Sequence, residues 1–446
     1  ALAYGSRLNE FRARLRLAAK RGLLTLRFRL CLLMFLQYMP AGAVLPLYST
    51  YLQEQLGFSS MGVAVCCATQ AVATICSALL AGHIADRWMP AERLLGLCAL
   101  LSGLDLWLLA EQDQPVPVFF CTLLYWFLTG PIWMLGAAIG FAHLKHPERQ
   151  YGPVRLWGTV GWIASAWMVG YWFKDPEWLC HVIGWVRPER AMSERADLFR
   201  IGGLFSFVLM VYTLTLPHTP PRPASTCIPS VLEGTPNGFA PLAALQLLRG
   251  RSFFVYALCF FGVCTTFPFG TQGTPLLLRQ LHTAEADLPI LLTIAQIAEV
   301  LCLALLPWLL RRLGIRGAML AGMAALTAGL SIQALVPTRV LVIGSLGFNG
   351  LVIAGVYVAG QVFVNGRVHD GLRASVQSLL TFINGLGLLL GNLLFGVLRR
   401  AAGGELQPAF AVGAILMSVV MVVFLVGFKE HQKDFGVKAE SDLPRF

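Results

Sequence analysis

The chain has 446 residues, of which 57% are hydrophobic and only 13% charged, with a formal net charge of +11 and a mean hydropathy of +0.67. A water-soluble chain carries about a quarter charged residues. This one therefore lacks the polar groups to cover a surface in water, a cover that lipid does not require. A soluble globular protein is excluded, and so is a nucleic-acid partner, because the basic residues sit in loops between apolar runs, where they set topology.

Residues 1–29 form a basic segment in which Arg7, Arg12, Arg14, Arg16, Lys20, Arg21, Arg27 and Arg29 alternate with Leu8, Phe11, Leu15 and Leu23. It reads as a positive flank holding the N-terminus in the cytoplasm, or as an amphipathic helix lying on the membrane surface. It runs into a long apolar stretch without a cleavage-like end, which argues against a removed signal peptide.

Apolar runs follow at 30–52, 60–84, 93–110, 116–142, 153–173, 198–217, 252–278, 286–310, 315–335, 338–364, 373–397 and 407–428. Each approaches the roughly 20 residues that a spanning helix needs. The pattern predicts an all-α polytopic membrane protein of twelve transmembrane helices. Basic residues favour one set of loops (Arg87 and Arg93, Lys145 and Arg149, Arg249 and Arg251, Arg311, Arg312 and Arg316, Arg367 and Arg373, Lys429 and Lys433), which places both termini in the cytoplasm.

The longest polar stretch lies between the sixth and seventh runs and is rich in Pro, Ser, Thr and Gly; its end, Phe239 to Leu248, has the makings of a short interfacial helix. The predicted organisation is a cytoplasmic segment 1–29, a six-helix bundle 30–217, a linker 218–251, a second bundle 252–428 and a tail 429–446. Tight basic loops recur after the second helix of each half, at Asp86-Arg87 and at Arg311-Arg312. That recurrence is what two six-helix pseudo-repeats predict. Asp86 and Arg87 read as a gating loop on the cytoplasmic side.

Ionisable groups deep in a span cost about 2.5–3.5 kcal/mol on insertion scales and are functional candidates by default. Glu299 lies near the middle of its run with Gln296 three residues before it, so both project from one face. This pair suits a hydroxyl-rich ligand, and desolvation equips Glu299 to take up and release a proton; the alternative is a structural carboxylate paired with a neighbouring helix. Arg155, Thr159 and Trp162 stand at helical spacing and offer a guanidinium, a hydroxyl and an indole on one face. Either they hold and stack on a ring-bearing ligand, or Arg155 snorkels to the interface and Trp162 is packing. Gln37 and Asn384 are single amides that suit interhelical hydrogen bonds as well as ligand contact. The eleven cysteines show no metal spacing, and no Walker loop or nucleophile elbow is present. The expectation is no metal, no cofactor and no enzyme.

The span layout, the central linker and Gly82-His83-Ile84-Ala85-Asp86-Arg87 resemble the major facilitator superfamily. Within it the chain is similar to the nucleoside:proton symporters, on Phe35-Leu36-Gln37, Arg155 to Trp162, Thr213 to His218, Gln296 to Glu299 and Arg373-Ala374-Ser375-Val376-Gln377. The resemblance implies that Arg155, Thr159, Gln296 and Glu299 face a central ligand cavity. An ungapped alignment puts Thr266 and Phe269 where that family has amides in span seven. It puts Asn349 and Ala354 where span ten has a tyrosine and an aspartate, which leaves Glu299 as the coupling acid. Span five is also similar to the lactose-permease type of oligosaccharide:proton symporters.

The function expected is proton-coupled uptake of a nucleoside or related glycosyl compound by alternating access. Its partners are that small molecule, protons and membrane lipid, and the protein is a monomer in the bacterial inner membrane. A sugar:proton symporter and a non-transporting sensor or scaffold are the competing readings.

Overall fold

The computed structural model describes the backbone of residues 2–87, 89–144, 146–174, 195–219, 250–365 and 373–428, and most side chains of these stretches from residue 26 onward. The elements are helical throughout: α1 (Leu2–Thr50, continued by a π turn Tyr51–Gln55), α2 (Ser60–Arg87), α3 (Ala91–Leu109), α4 (Pro115–His143), α5 (Pro147–Lys174), α6 (Asp197–Thr213), α7 (Arg251–Gln280), α8 (Leu288–Leu335), α9 (Arg339–Ser345), α10 (Phe348–Val352, followed by a π turn Ile353–Val358), α11 (Ala359–Asn365), α12 (Arg373–Ala401) and α13 (Gln407–Gly427). The apolar runs of the sequence fall mainly on helices, the one at 338–364 across α9, α10, its π turn and α11, as they must where lipid offers no partner to a free backbone group. No strand occurs among the described residues.

Among the described residues, seven stretches are long and apolar enough to cross a membrane by length and composition. Others fall short for visible reasons: α6 has 17 residues, and α3 carries Glu92, Arg93 and Asp105. One stretch, Glu285–Leu335, contains two of the predicted runs. They meet at Gly314, whose φ of 66° and ψ of 178° break the helix. A side chain is strained in that conformation, so glycine is the residue that turns the chain there.

The packing divides the chain into two compact units. The first comprises Ala1–Leu45, Ser77–Glu111 and Phe127–Arg222; the second comprises Pro46–Cys76, Gln112–Trp126 and Pro223–Phe446. In the first, α3 and α6 lie along each other through small residues, with Gly96 against Thr213 and Gly203 against Trp107, the close approach that small side chains allow between membrane helices. The start of α3 is tied to the chain beyond α6. His218 Nδ1 donates to Glu92 Oε1 at 2.7 Å, the Thr219 amide donates to Glu92 Oε2 at 2.9 Å, and the Ala91 amide donates to the Thr219 carbonyl at 3.1 Å.

In the second unit α7 packs against α12 and α13 around a cluster of phenylalanines, Phe269, Phe395 and Phe410. The end of α1 belongs to this unit. Its π turn presents Gln53 and Glu54 to two arginines from different helices: Glu54 meets Arg279 of α7, and Gln53 Oε1 accepts from Arg399 Nη2 of α12 at 2.9 Å. Arg399 is 1% exposed, and its Nε and Nη1 are enclosed without a partner.

The side chains of the basic segment up to residue 25, the gating-loop pair Asp86 and Arg87, the linker from 220 to 249 with its Phe239–Leu248 stretch, and the tail 429–446 lie outside the described residues.

Candidate functional site

Arg155 stands about two turns inside α5, and the structure places its guanidinium in the first unit. Its Cζ lies 4.2 Å from the centroid of the Tyr38 ring. Tyr38 in turn stacks on Trp133 of α4, with centroids 5.1 Å apart and planes inclined by 7°. The aromatic faces attract the cation and fix its direction. Gly158 makes this possible: a Cβ there would lie 2.6 Å from Tyr38 Cδ2 and 2.8 Å from Arg155 Nη1. Trp133 Nε1 donates to the Gln37 carbonyl at 3.2 Å, and Gln37 Oε1 is enclosed with no hydrogen-bond partner. Thr159 and Trp162 follow on the same helix, both half-buried.

The second unit holds the other candidates. Gln296 and Glu299 lie on α8, both half-buried, and Gln296 Oε1 is enclosed without a partner. Gly350 packs on the Ala298 carbonyl and on Cys302 Sγ, which brings α10 and its half-buried Asn349 alongside that turn of α8. Ala354 is fully buried in the following π turn, packed with Leu306 and Ala318.

Thr266 and Phe269 face elsewhere. The Thr266 hydroxyl donates to the Gly262 and Val263 carbonyls of its own helix, at 3.1 and 3.0 Å, the back-bonding that hydroxyls adopt in helix interiors. Phe269 is 0% exposed, meets Phe395 edge-on at 5.2 Å and backs onto Gly413. Phe269 belongs to the packing between α7, α12 and α13, and Thr266 is fully buried.

Three residues of this chemistry escape a reading by spacing. Tyr38 and Trp133 form a platform from two different helices, so no interval in the sequence announces them. Gln272 is the third. It lies on α7 one turn beyond Phe269, is 2% exposed, and has both amide atoms enclosed with no partner. An enclosed amide left unpaired costs about 1–3 kcal/mol, and most buried polar atoms avoid that state. A glutamine in the middle of an apolar run is the signal that marks it.

The family described as nucleoside H+ symporter matches residues 24–433. The chain belongs to that family. It is 28% identical over 435 residues to the xanthosine permease of Escherichia coli (strain K12), covering 93% of this chain and 99% of that one. It is 26% identical over 393 residues to the nucleoside permease NupG of the same organism, covering 84% and 88%. The crystal structure of the nucleoside transporter NupG superposes with a TM-score of 0.75 at 23% identity, over 91% of this chain and all of that one, which establishes the fold as that of a transporter. The chain is therefore a multi-pass membrane transporter rather than an enzyme, and its activity is proton-coupled nucleoside transport.

Proposed function

We propose that the chain crosses the bacterial inner membrane twelve times, with both termini in the cytoplasm, as two six-helix bundles over 30–217 and 252–428. A monomer in its lipid surround moves a nucleoside inward by alternating access of these bundles about a midplane site. Arg155, Thr159 and Trp162 supply contacts from one bundle, and Gln296, Glu299 and Asn349 from the other. The charge bias of the loops supports the orientation. Asp86 and Arg87 act at the cytoplasmic gate.

The observation that carries the binding role is the Gln296 carbonyl oxygen, enclosed without a partner one turn from Glu299. A nucleoside ribose brings hydroxyl donors that satisfy it. The Tyr38–Trp133 platform holds Arg155 in place, so that its remaining donors are aimed before substrate arrives, which reduces the ordering cost of binding. Thr266 and Phe269 keep packing roles, and Gln272 supplies the amide of span seven in their place. With Ala354 in span ten, the proton is carried by Glu299: protonation neutralises the carboxylate for its passage through the cycle, and release on the cytoplasmic side resets it.

The test is uptake of labelled nucleoside into proteoliposomes under an imposed proton gradient. Glu299→Gln should abolish accumulation against a gradient while leaving exchange of preloaded nucleoside. Accumulation by that variant at the normal level and with the normal pH dependence would sink the coupling role. Trp162→Ala should weaken binding about tenfold, the scale of a lost stacking contact.

A further inference from the structure

Three polar side chains meet inside the second unit, from α7, the π turn after α10, and α12. Cys264 Sγ donates to Asn384 Oδ1 at 3.2 Å, and the Tyr357 hydroxyl donates to the same oxygen at 3.4 Å. The Cys264 sulfur and the Tyr357 hydroxyl are themselves 3.5 Å apart. The Tyr357 ring is held edge-on by Phe260 at 5.2 Å and Phe267 at 6.0 Å. Tyr357 owes its direction to the π turn Ile353–Val358. The extra residue in such a turn re-aims the side chains after it, and π turns concentrate at functional sites.

Two donors occupy the Asn384 carbonyl oxygen, which turns its amide nitrogen away from the cluster. Its Nδ2 makes no hydrogen bond to any described residue, and Asn384 is half-buried. The apolar exposed face of α12 is marked by Phe382, Leu386, Leu390 and Val397. At 3.6 residues per turn Asn384 points roughly 200° away from Phe382, so the open amide does not face lipid. Gly387 presses on the Cys264 Cβ and holds α12 close enough to α7 for the cluster to form.

The geometry points to Asn384 as the residue that reads the exocyclic group of the nucleobase, with Tyr357 and Cys264 as the residues that position it. An amide whose acceptor is filled has only N–H to offer. It pairs with a ring carbonyl, as in uracil and hypoxanthine, and meets the exocyclic amine of cytosine and adenine donor to donor. The transporter therefore favours oxo-bases over amino-bases. This rests on the nucleoside reading above and adds to it a rule of selectivity.

The experiment measures kcat/KM for uptake of two matched pairs, uridine against cytidine and inosine against adenosine, in proteoliposomes. Each pair differs at one exocyclic position and its adjoining ring proton. The wild-type protein should prefer the oxo member of both pairs. Asn384→Ala should lower each ratio about three- to tenfold, the worth of one hydrogen bond. Tyr357→Phe should lower the ratios as well, since it frees one lone pair of the carbonyl and lets the amide turn. If Asn384→Ala does not insert, Asn384→Asp serves in its place: an acceptor where a donor stood has to reduce both ratios. Equal handling of the two members by the wild type, or ratios unchanged in the variants, overturns the proposal while leaving nucleoside transport intact. Failure of the wild type to take up any of the four nucleosides overturns the substrate reading itself.

Discussion

Glu54 receives Arg279 through both carboxylate oxygens: Nε lies 3.0 Å from Oε1 and 3.0 Å from Oε2, and Nη2 lies 2.8 Å from Oε2. The same guanidinium donates through Nη1 to the Thr283 carbonyl at 2.8 Å, so it arrives at Glu54 already oriented. Fork-shaped pairing of this kind is the strong form of an ion pair. Its ends remain about a quarter exposed, which limits its worth to roughly 1 kcal/mol.

A double-mutant cycle checks this. Glu54→Gln and Arg279→Gln should each lower the thermal midpoint in detergent, and the two together should cost less than the sum, by roughly 1 kcal/mol of coupling. Strict additivity would mean that the pair contributes nothing to the seating of the end of α1.

Arg399 behaves differently because it is enclosed. A guanidinium with two unpartnered nitrogens is held by Gln53 and by the Phe395 ring, whose centroid is 5.8 Å from its Cζ. Gln53→Ala removes the acceptor and leaves the cation in place, so it should destabilise by about 1–3 kcal/mol. Arg399→Met removes the cation itself and fills the space, and should be neutral or stabilising. Thermal melts of the two variants check the contrast; equal losses from both would show that the Arg399–Gln53 hydrogen bond stabilises the unit and that the enclosed cation carries no penalty.

Glu92 makes a prediction in pH. Burial pushes its carboxyl upward, but the hydrogen bond from His218, helped by backbone donors that include the Thr219 amide, outweighs burial and holds the group below its ordinary value of 4.5. A carboxyl depressed in the folded state contributes stability above the unfolded value and loses it as pH falls through the folded value. The melting temperature should therefore decline as pH drops below about 4.5, and Glu92→Gln should flatten that decline while lowering stability at pH 7. An unchanged acid limb in Glu92→Gln would place its origin elsewhere.

Gln272 separates stability from function. Gln272→Leu removes two enclosed polar atoms at similar volume and should raise stability by about 1–3 kcal/mol. The same change should weaken nucleoside binding, because the amide that costs stability in the empty protein is the one a ligand satisfies. Thermal melts with and without nucleoside measure both effects. A stabilised variant with full ligand response would assign Gln272 to packing.

Much of the fold was legible because lipid enforces it: an apolar run that enters a bilayer has to be helical, and the predicted runs fall mainly on helices. The pairs Gln296 with Glu299 and Arg155 with Thr159 were legible because helical spacing puts them on shared faces. What stayed hidden depends on contacts between helices. A step of one residue leaves Arg400 exposed and buries Arg399, a difference that two adjacent arginines at the end of an apolar run do not announce. Tyr38 and Trp133 lie 95 positions apart and meet only in space. At span seven the enclosed amide of Gln272 lies one turn past Phe269, a place that spacing alone does not single out because one face of a helix returns every turn.

Gly314 joins the two lengths of α8 by a single residue out of helical geometry, leaving no slack between them. Arg316, two residues on, donates to the Leu425 carbonyl of α13 at 2.8 Å, and Gly322 rests against Leu351 and Val356 on the chain through span ten. A joint so short works as a lever rather than a tether. A shift of the Gln296–Glu299 turn would therefore be felt at Gly322, which rests on the chain that runs into the bulge before Tyr357.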